Sequence, residues 1–492
     1  RLDGLPLAIE LAAARTRILP PAGLLDQLAA RFDILTSRSR DIPERHRTLR
    51  SAVEWSFNLM AEEEKKLFTR LAIFPGGFSP VAVGAVLMPP ETAHLALDVL
   101  ELLAEKHIVQ PDLSDKTDSP RFFMLATLRD YALERLQADA ELPALYHRRG
   151  EYYANLADQA ESELFGSDQA RWLLWIQGEE NNLRATLEWA FQPERRDDEI
   201  EMGTRIVCHA LNRFWRMRGR LNEGQEWFAR ALVFKDRLSR KYQKKLAQHS
   251  AAFYVWQGEY DLARKFYETE YELAQAEGDI KARANLLQGL GLVAGHLSEY
   301  RLAEKYLSEA VMVERENSDG QIPYNLMVAL SNLGIVYRHL GNYTRAIELQ
   351  EEVLAYRLEL GDEWGLASVL ANIGVLEELQ GQYEASLKHY RESMRIRQKL
   401  GDELGIVICL AGVASVLFRK NQCEESTRLY SFIWKLRQHY NYKASLENRL
   451  EEERHLNALR RFLGEPGFLK CWDEGNRMTM PNVMTQILED DL

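Results

Sequence analysis

The feature that most constrains this chain is that it repeats itself. Leu330-Ser-Asn-Leu-Gly334 followed by Gly341-Asn-Tyr343 recurs forty residues on as Leu370-Ala-Asn-Ile-Gly374 followed by Gly381-Gln-Tyr383. A period of this length marks stacked helical units, each too small to bury its own apolar face, so neighbours must pile into a solenoid. With the turn as reference, the pattern falls at Gly219, Gly258, Ser298, Gly341, Gly381 and Asn421. Tyr260, Tyr300, Tyr343 and Tyr383 follow two positions later. Ala263, Ala303 and Ala346 come five positions later, where a short side chain lets helices approach closely, and Ser386 and Ser426 take that place in the last units. The Leu-Gly-Asp clusters at 360–362 and 400–402 read as glycine stops at helix C-termini. Six hairpins are expected between about 204 and 437, the last degenerate as capping units are.

This pattern resembles the tetratricopeptide repeat, in which two antiparallel helices per unit carry a small residue at their crossing, a glycine in the turn and an aromatic after it. The resemblance implies an α-solenoid whose concave side is a binding surface.

Composition agrees. The 492 residues are 46% hydrophobic and 28% charged, ordinary for a soluble chain of two to four domains. No run of eighteen apolar residues and no charged-then-apolar leader exists, so a cytoplasmic protein without membrane contact is expected. Cys208, Cys409, Cys423 and Cys471 lack metal-ligand spacing and read as packing residues, with no metal site. A net charge of −12 argues against wholesale capture of nucleic acid. The start at Arg1, without methionine, reads as a piece of a longer protein.

A second resemblance lies before the repeats. Gly4-Leu-Pro-Leu-Ala-Ile-Glu-Leu-Ala-Ala-Ala-Arg15 resembles the GLPL motif that ends the nucleotide-binding region of signal-transduction ATPases with numerous domains (STAND), the class of NB-ARC proteins and many bacterial transcriptional regulators. Arg45-His-Arg-Thr-Leu-Arg-Ser-Ala-Val-Glu-Trp-Ser56 and Leu71-Ala-Ile-Phe-Pro-Gly-Gly-Phe78 resemble the winged helix that follows it, and Asn181-Asn182-Leu-Arg-Ala-Thr-Leu-Glu-Trp189 again fits the bacterial members. The resemblance implies that Pro6 packs near a bound adenine and that the full-length protein handles ATP or ADP. Two departures limit it: the chain has no Gly-x-x-x-x-Gly-Lys-Ser/Thr loop to cradle a triphosphate, and Met124-Leu125-Ala126 stands where plant and animal relatives carry Met-His-Asp.

The residues themselves fit a mainly all-α fold, with a winged helix and its small β-hairpin followed by the solenoid. Helices are expected at 48–60, 62–72, after the Ser79-Pro80 cap, at 91–106 and at 125–138, with strands at 107–111 and 121–124. The expected division is 1–40 as a helical remnant of the nucleotide-binding core, 41–140 as the winged helix, 141–203 as a helical connector, 204–437 as the repeat sensor and 438–492 as a C-terminal helical cap.

Two sites are proposed from sequence. The loop from Arg38 to Arg50 carries five arginines and one histidine against two acids, and Arg45, His46, Arg47 and Arg50 join Pro6 as candidate nucleotide-adjacent residues, because guanidinium forks match phosphate oxygens. A solvated linker and direct DNA contact by a winged helix remain the alternatives. The larger site is the concave face. Placing the first helix of each hairpin in register puts His209, Arg213 and Arg216, then Lys245, Gln248 and Trp256, then Asn285, Gln288 and His296, then Ser331, Arg338 and His339, then Glu378, and finally Phe418 and Arg419 on the groove. Such a surface suits an acidic peptide, a C-terminal carboxylate or a phosphorylated small ligand, so a protein, peptide or small-molecule inducer is the expected partner.

No His-Glu-x-x-His, Gly-x-Ser-x-Gly or other catalytic spacing occurs, so no catalytic residue is expected. The function expected is the non-catalytic sensing part of a STAND-type ATPase, able to self-assemble on activation. The alternatives are a constitutive interaction scaffold and a winged-helix DNA-binding regulator.

Overall fold

The structure is a computed structural model and describes residues 49–112, 120–317 and 324–489. Its residues are mainly α-helical, and they divide into two compact units. One holds the described residues to 156 together with 174–194, the other 157–173 together with the residues from 195 onward.

In the first unit, α1 (Leu49–Asn58), α2 (Glu62–Leu71), α3 (Pro80–Leu87) and α4 (Ala96–Glu105) precede a short antiparallel hairpin. Its strands β1 (Gln110–Pro111) and β2 (Phe122–Phe123) pair Gln110 with Phe123 and Pro111 with Phe122, and α5 (Ala126–Leu136) follows. The Ser79 hydroxyl accepts from Ala82 N at 3.2 Å, and Pro80 spends no backbone donor at the helix start, so α3 begins where the sequence places it. The expected helix at 91–106 is split, its first turn being a 3-10 segment, Ala93–Leu95. Phe68, Leu71, Phe78, Val83, Leu100, Val109, Phe122 and Leu136 form the core.

The helices α6 (Leu142–Glu163) and α7 (Gln169–Ala190) contribute to both units. Within the first, Asn182 on α7 clasps the Gly76-Gly77 turn: its Oδ1 accepts from Gly76 N and its Nδ2 donates to Gly77 O, both at 2.8 Å. Arg121 donates to Gly76 O and Gly178 O, each at 2.8 Å, and also pairs with Glu179.

In the second unit α8 (Asp197–Arg205), a π-helical stretch (Ile206–Leu211), α9 (Asn212–Met217) and α10 (Leu221–Leu232) make the first hairpin. Five more follow: α11 (Arg240–Trp256) with α12 (Tyr260–Glu277), α13 (Ile280–His296) with α14 (Tyr300–Glu316), α15 (Tyr324–His339) with α16 (Tyr343–Leu360), α17 (Glu363–Leu379) with α18 (Tyr383–Leu400), and α19 (Glu403–Arg419) with α20 (Cys423–Tyr440). The tail is α21 (Leu446–Arg477), bent at Gly464, and α22 (Met480–Glu489).

All six turn positions have left-handed backbone, with φ of 64° at Gly219, 78° at Gly258, 63° at Ser298, 77° at Gly341, 76° at Gly381 and 61° at Asn421. Gly361 and Gly401 end their helices in the same conformation, and Asp362 and Asp402 start the next by accepting from Gly365 N and Gly405 N at 3.0 Å. Ala263, Ala303, Ala346, Ser386 and Ser426 are fully buried at the crossings. A Cβ on Gly412 would lie 2.2 Å from the Tyr390 ring, which explains why α18 and α19 can approach so closely.

The array curls until its beginning meets its end. Arg218 after α9 donates to Gly401 O at 2.6 Å and Leu400 O at 3.2 Å, and Asn441 donates to Asn222 Oδ1 at 3.1 Å.

Candidate ligand-binding site

The inner face of the curl is built from the first helix of each hairpin, joined by two segments from outside the repeats. The first is the tip between α6 and α7. Its Phe165 ring lies 4.1 Å from that of Tyr324, and Gln169 donates from Nε2 to Asp362 Oδ1 at 3.1 Å while its Oε1 accepts from Trp364 N at 3.0 Å. The second is the start of α21, whose Glu447 meets His339 Nδ1 at 2.8 Å and accepts from the Tyr300 hydroxyl.

The predicted groove residues fall into four clusters. In the first, Arg213 is buried, its Nη2 3.2 Å from Asp362 Oδ1 and its guanidinium 4.4 Å from the Phe165 ring and 4.6 Å from Trp364. Arg216, one turn along α9, lies 4.6 Å from Trp256 and 4.9 Å from Trp364. Burial of its charge and the neighbouring Arg213 lower the Arg216 guanidinium to about 10, although Tyr324 and Asp402 oppose part of that shift. Burial alone would raise the Asp362 carboxyl, but Arg213 and Arg357 outweigh it and hold it below the usual carboxylate range.

The second cluster ties His209 Nδ1 to Asp158 at 2.7 Å and His209 Nε2 to Lys245 Nζ at 3.0 Å, with Lys245 also paired to Glu161. Burial depresses the basicity of His209, and Glu161 and Asp158 oppose it. In the third, Arg338 Nη2 meets His339 Nε2 at 2.7 Å, and the His339 ring stacks on Tyr300 with centroids 4.6 Å apart. His339 and Tyr300 bring the Glu447 carboxyl down to about 2 against the cost of burial. In the fourth, Glu378 accepts from Ser415 Oγ at 2.5 Å and Arg419 pairs with Glu451 at 3.2 Å; burial lifts the Glu378 carboxyl to about 6.

The rest lie between these clusters. Gln288 donates to Asn325 O at 2.8 Å, Ser331 Oγ donates to Gln350 at 3.4 Å, and His296 stacks on Tyr260 with centroids 5.1 Å apart. Asn285 Oδ1 is buried without a partner, Gln248 is half-buried, and Phe418 stacks on His455 at 4.3 Å.

Phe165, Gln169, Asp362, Trp364 and Glu447 were not among the residues singled out from sequence. One signal for Asp362 was present: Arg357 and Asp362 stand at the same spacing as Arg397 and Asp402 forty residues on, and both pairs form buried salt bridges.

Pro6, Arg45, His46 and Arg47 lie outside the described residues; Arg50 Nη2 pairs with Glu134 at 2.8 Å. Among the described residues there is no carboxylate, histidine or cysteine cluster able to hold a metal, and no helix is long and apolar enough to cross a membrane.

Among curated proteins, a Mycobacterium tuberculosis protein that carries the name HTH-type transcriptional regulator is 36% identical over 229 residues, which is 46% of this chain and 25% of that protein. An uncharacterized Mycobacterium tuberculosis protein is 36% identical over 151 residues, 30% of this chain and 38% of its own length. The chain thus spans well under half of each relative. Among solved structures, a STAND protein with a tetratricopeptide repeat sensor from Pyrococcus horikoshii aligns over 99% of this chain and 75% of its own, at 14% identity and a TM-score of 0.43. A Rap protein complexed with competence and sporulation factor aligns over 69% of this chain and 96% of its own, at 11% identity and a TM-score of 0.45. Alignments as loose as these carry no functional argument. The tetratricopeptide repeat family model matches residues 325–399 and 365–431, and these hairpins are tetratricopeptide repeats.

Proposed function

We propose that this chain is the sensing and relay part of a STAND-type signalling ATPase: the repeat array binds an inducer on its inner face, and a winged helix formed by the first unit passes the change to a nucleotide-binding core outside the chain. The reading is supported most by the inner face itself, where guanidiniums and indoles from different hairpins converge with segments from outside the repeats. A ligand that prefers one arrangement of those segments would shift the protein toward it by its differential affinity. Nucleotide stays a property of the longer protein, since no phosphate-binding loop occurs in this sequence. We assign no catalysis to the chain.

Two measurements test this. Native mass spectrometry with ADP and ATP should find no nucleotide retained by this chain alone; stoichiometric retention would contradict the assignment. Hydrogen exchange with a saturating inducer should slow in the repeats and also change in α1–α5. Protection confined to the repeats would favour a constitutive scaffold.

A further inference from the structure

We propose that Arg216, whose guanidinium lies over the indoles of both Trp256 and Trp364, is the anchor for an oxyanion of the inducer, a carboxylate or a phosphate; the proposal rests on the sensor reading above and narrows it.

Arg216 differs from the cations around it. Arg213 and Arg357 share Asp362, and Arg397 pairs with Asp402. Both acids are otherwise engaged: Asp362 Oδ1 also accepts from Gln169 and Gly365, and Asp402 Oδ2 also accepts from Trp364 Nε1 at 2.9 Å. Four guanidiniums therefore face two carboxylates, and among the described residues no acceptor is bonded to Arg216, whose Nε is buried without a partner. Arg216 is half-buried, so a guanidinium that no carboxylate pairs with is open to completion by an incoming oxyanion.

The surroundings favour an anion. His249, placed near Arg216 and 2.8 Å from Asn212 one turn before it, is kept neutral down to about pH 3 by burial and by Lys245, His209 and Arg216. A positive pocket in a chain of net charge −12 focuses its field locally. The geometry selects the chemistry. The guanidinium lies 4.6 Å from the Trp256 ring and 4.9 Å from that of Trp364, Trp364 is itself oriented by its bond to Asp402, and a planar fork donates two parallel N–H bonds to a carboxylate or phosphate. A lysine would keep the charge and lose the fork.

The test is titration of the full chain with two probes, N-acetyl-tetraglutamate and inorganic phosphate, read by calorimetry and by fluorescence of the flanking tryptophans. At least one probe should bind the wild type; the stronger arm tells a peptide carboxylate from a phosphate. Arg216→Gln should weaken that binding at least tenfold, Arg216→Lys less, and the exposed control Arg301→Gln not at all. Arg216→Lys keeps the test valid if Arg216→Gln fails to fold. Equal affinity in the Arg216 variants, or a wild type that takes neither probe, would overturn the anchor. A ligand recovered from cells that binds Arg216→Gln as tightly as wild type would also overturn it, yet would leave the sensor reading standing.

Discussion

At the scale of the residue, the turns carry a conformational cost that can be read out singly. Ser298 adopts φ of 63° where four of the other turns use glycine. Ser298→Gly should therefore stabilise the chain by about 0.5 kcal/mol, because glycine enters the left-handed region without the Cβ penalty. Gly381→Ala runs the other way: an added Cβ meets nothing within 4 Å, so only backbone strain is charged, about 1 kcal/mol in denaturant unfolding. Equal stabilities for the two variants and wild type would contradict the turn assignment. The buried imidazoles set a pH dependence. His249 falls to about 3 and His296 to about 4, each mainly through burial, from an ordinary value of 6.5. The unfolded state then binds the extra protons, so stability is lost as pH falls below 6.5, by about 2 kcal/mol per histidine at pH 5. Glu378, raised to about 6, opposes this, since it favours the folded state as pH falls through that value. Thermal melts should show a lower midpoint at pH 5 than at pH 7, and His249→Gln should reduce the difference.

At the scale of the element, close packing and capping decide what the sequence could reveal. Gly412→Ala on α19 drives a methyl into Tyr390 of α18 and should cost about 1–3 kcal/mol, measurable by denaturant unfolding. Hairpin boundaries, turns and crossing residues were legible because each follows from a local rule: left-handed turn, small crossing residue, glycine stop. The inner face was only half legible. Register placed Arg213, Arg216 and Trp256 together, but no local rule could bring Phe165 and Gln169 from 157–173, or Glu447 from α21, against helices far away in sequence. Those contacts depend on the curl of the whole array. Phe165→Ala removes the ring beside Arg213 and Tyr324, and hydrogen exchange should speed up in the 157–173 tip and around Trp364. Unchanged exchange there would mean that the tip does not help to hold the inner face.

At the scale of the whole molecule, the account is of a repeat array whose beginning meets its end and whose inner face carries a cation-rich, aromatic cluster around Arg216, within a chain that is acidic overall. In that cluster cations outnumber their carboxylate partners, and the sensor proposed above would have its ligand supply the missing negative charge. The most direct measurement is native mass spectrometry of wild type and of the Arg216→Gln/Trp256→Ala double variant, each incubated with the small-molecule fraction of producing cells. The account predicts one ligand per wild-type chain and its loss from the double variant. A ligand held equally by both proteins, or none on the wild type, would contradict it.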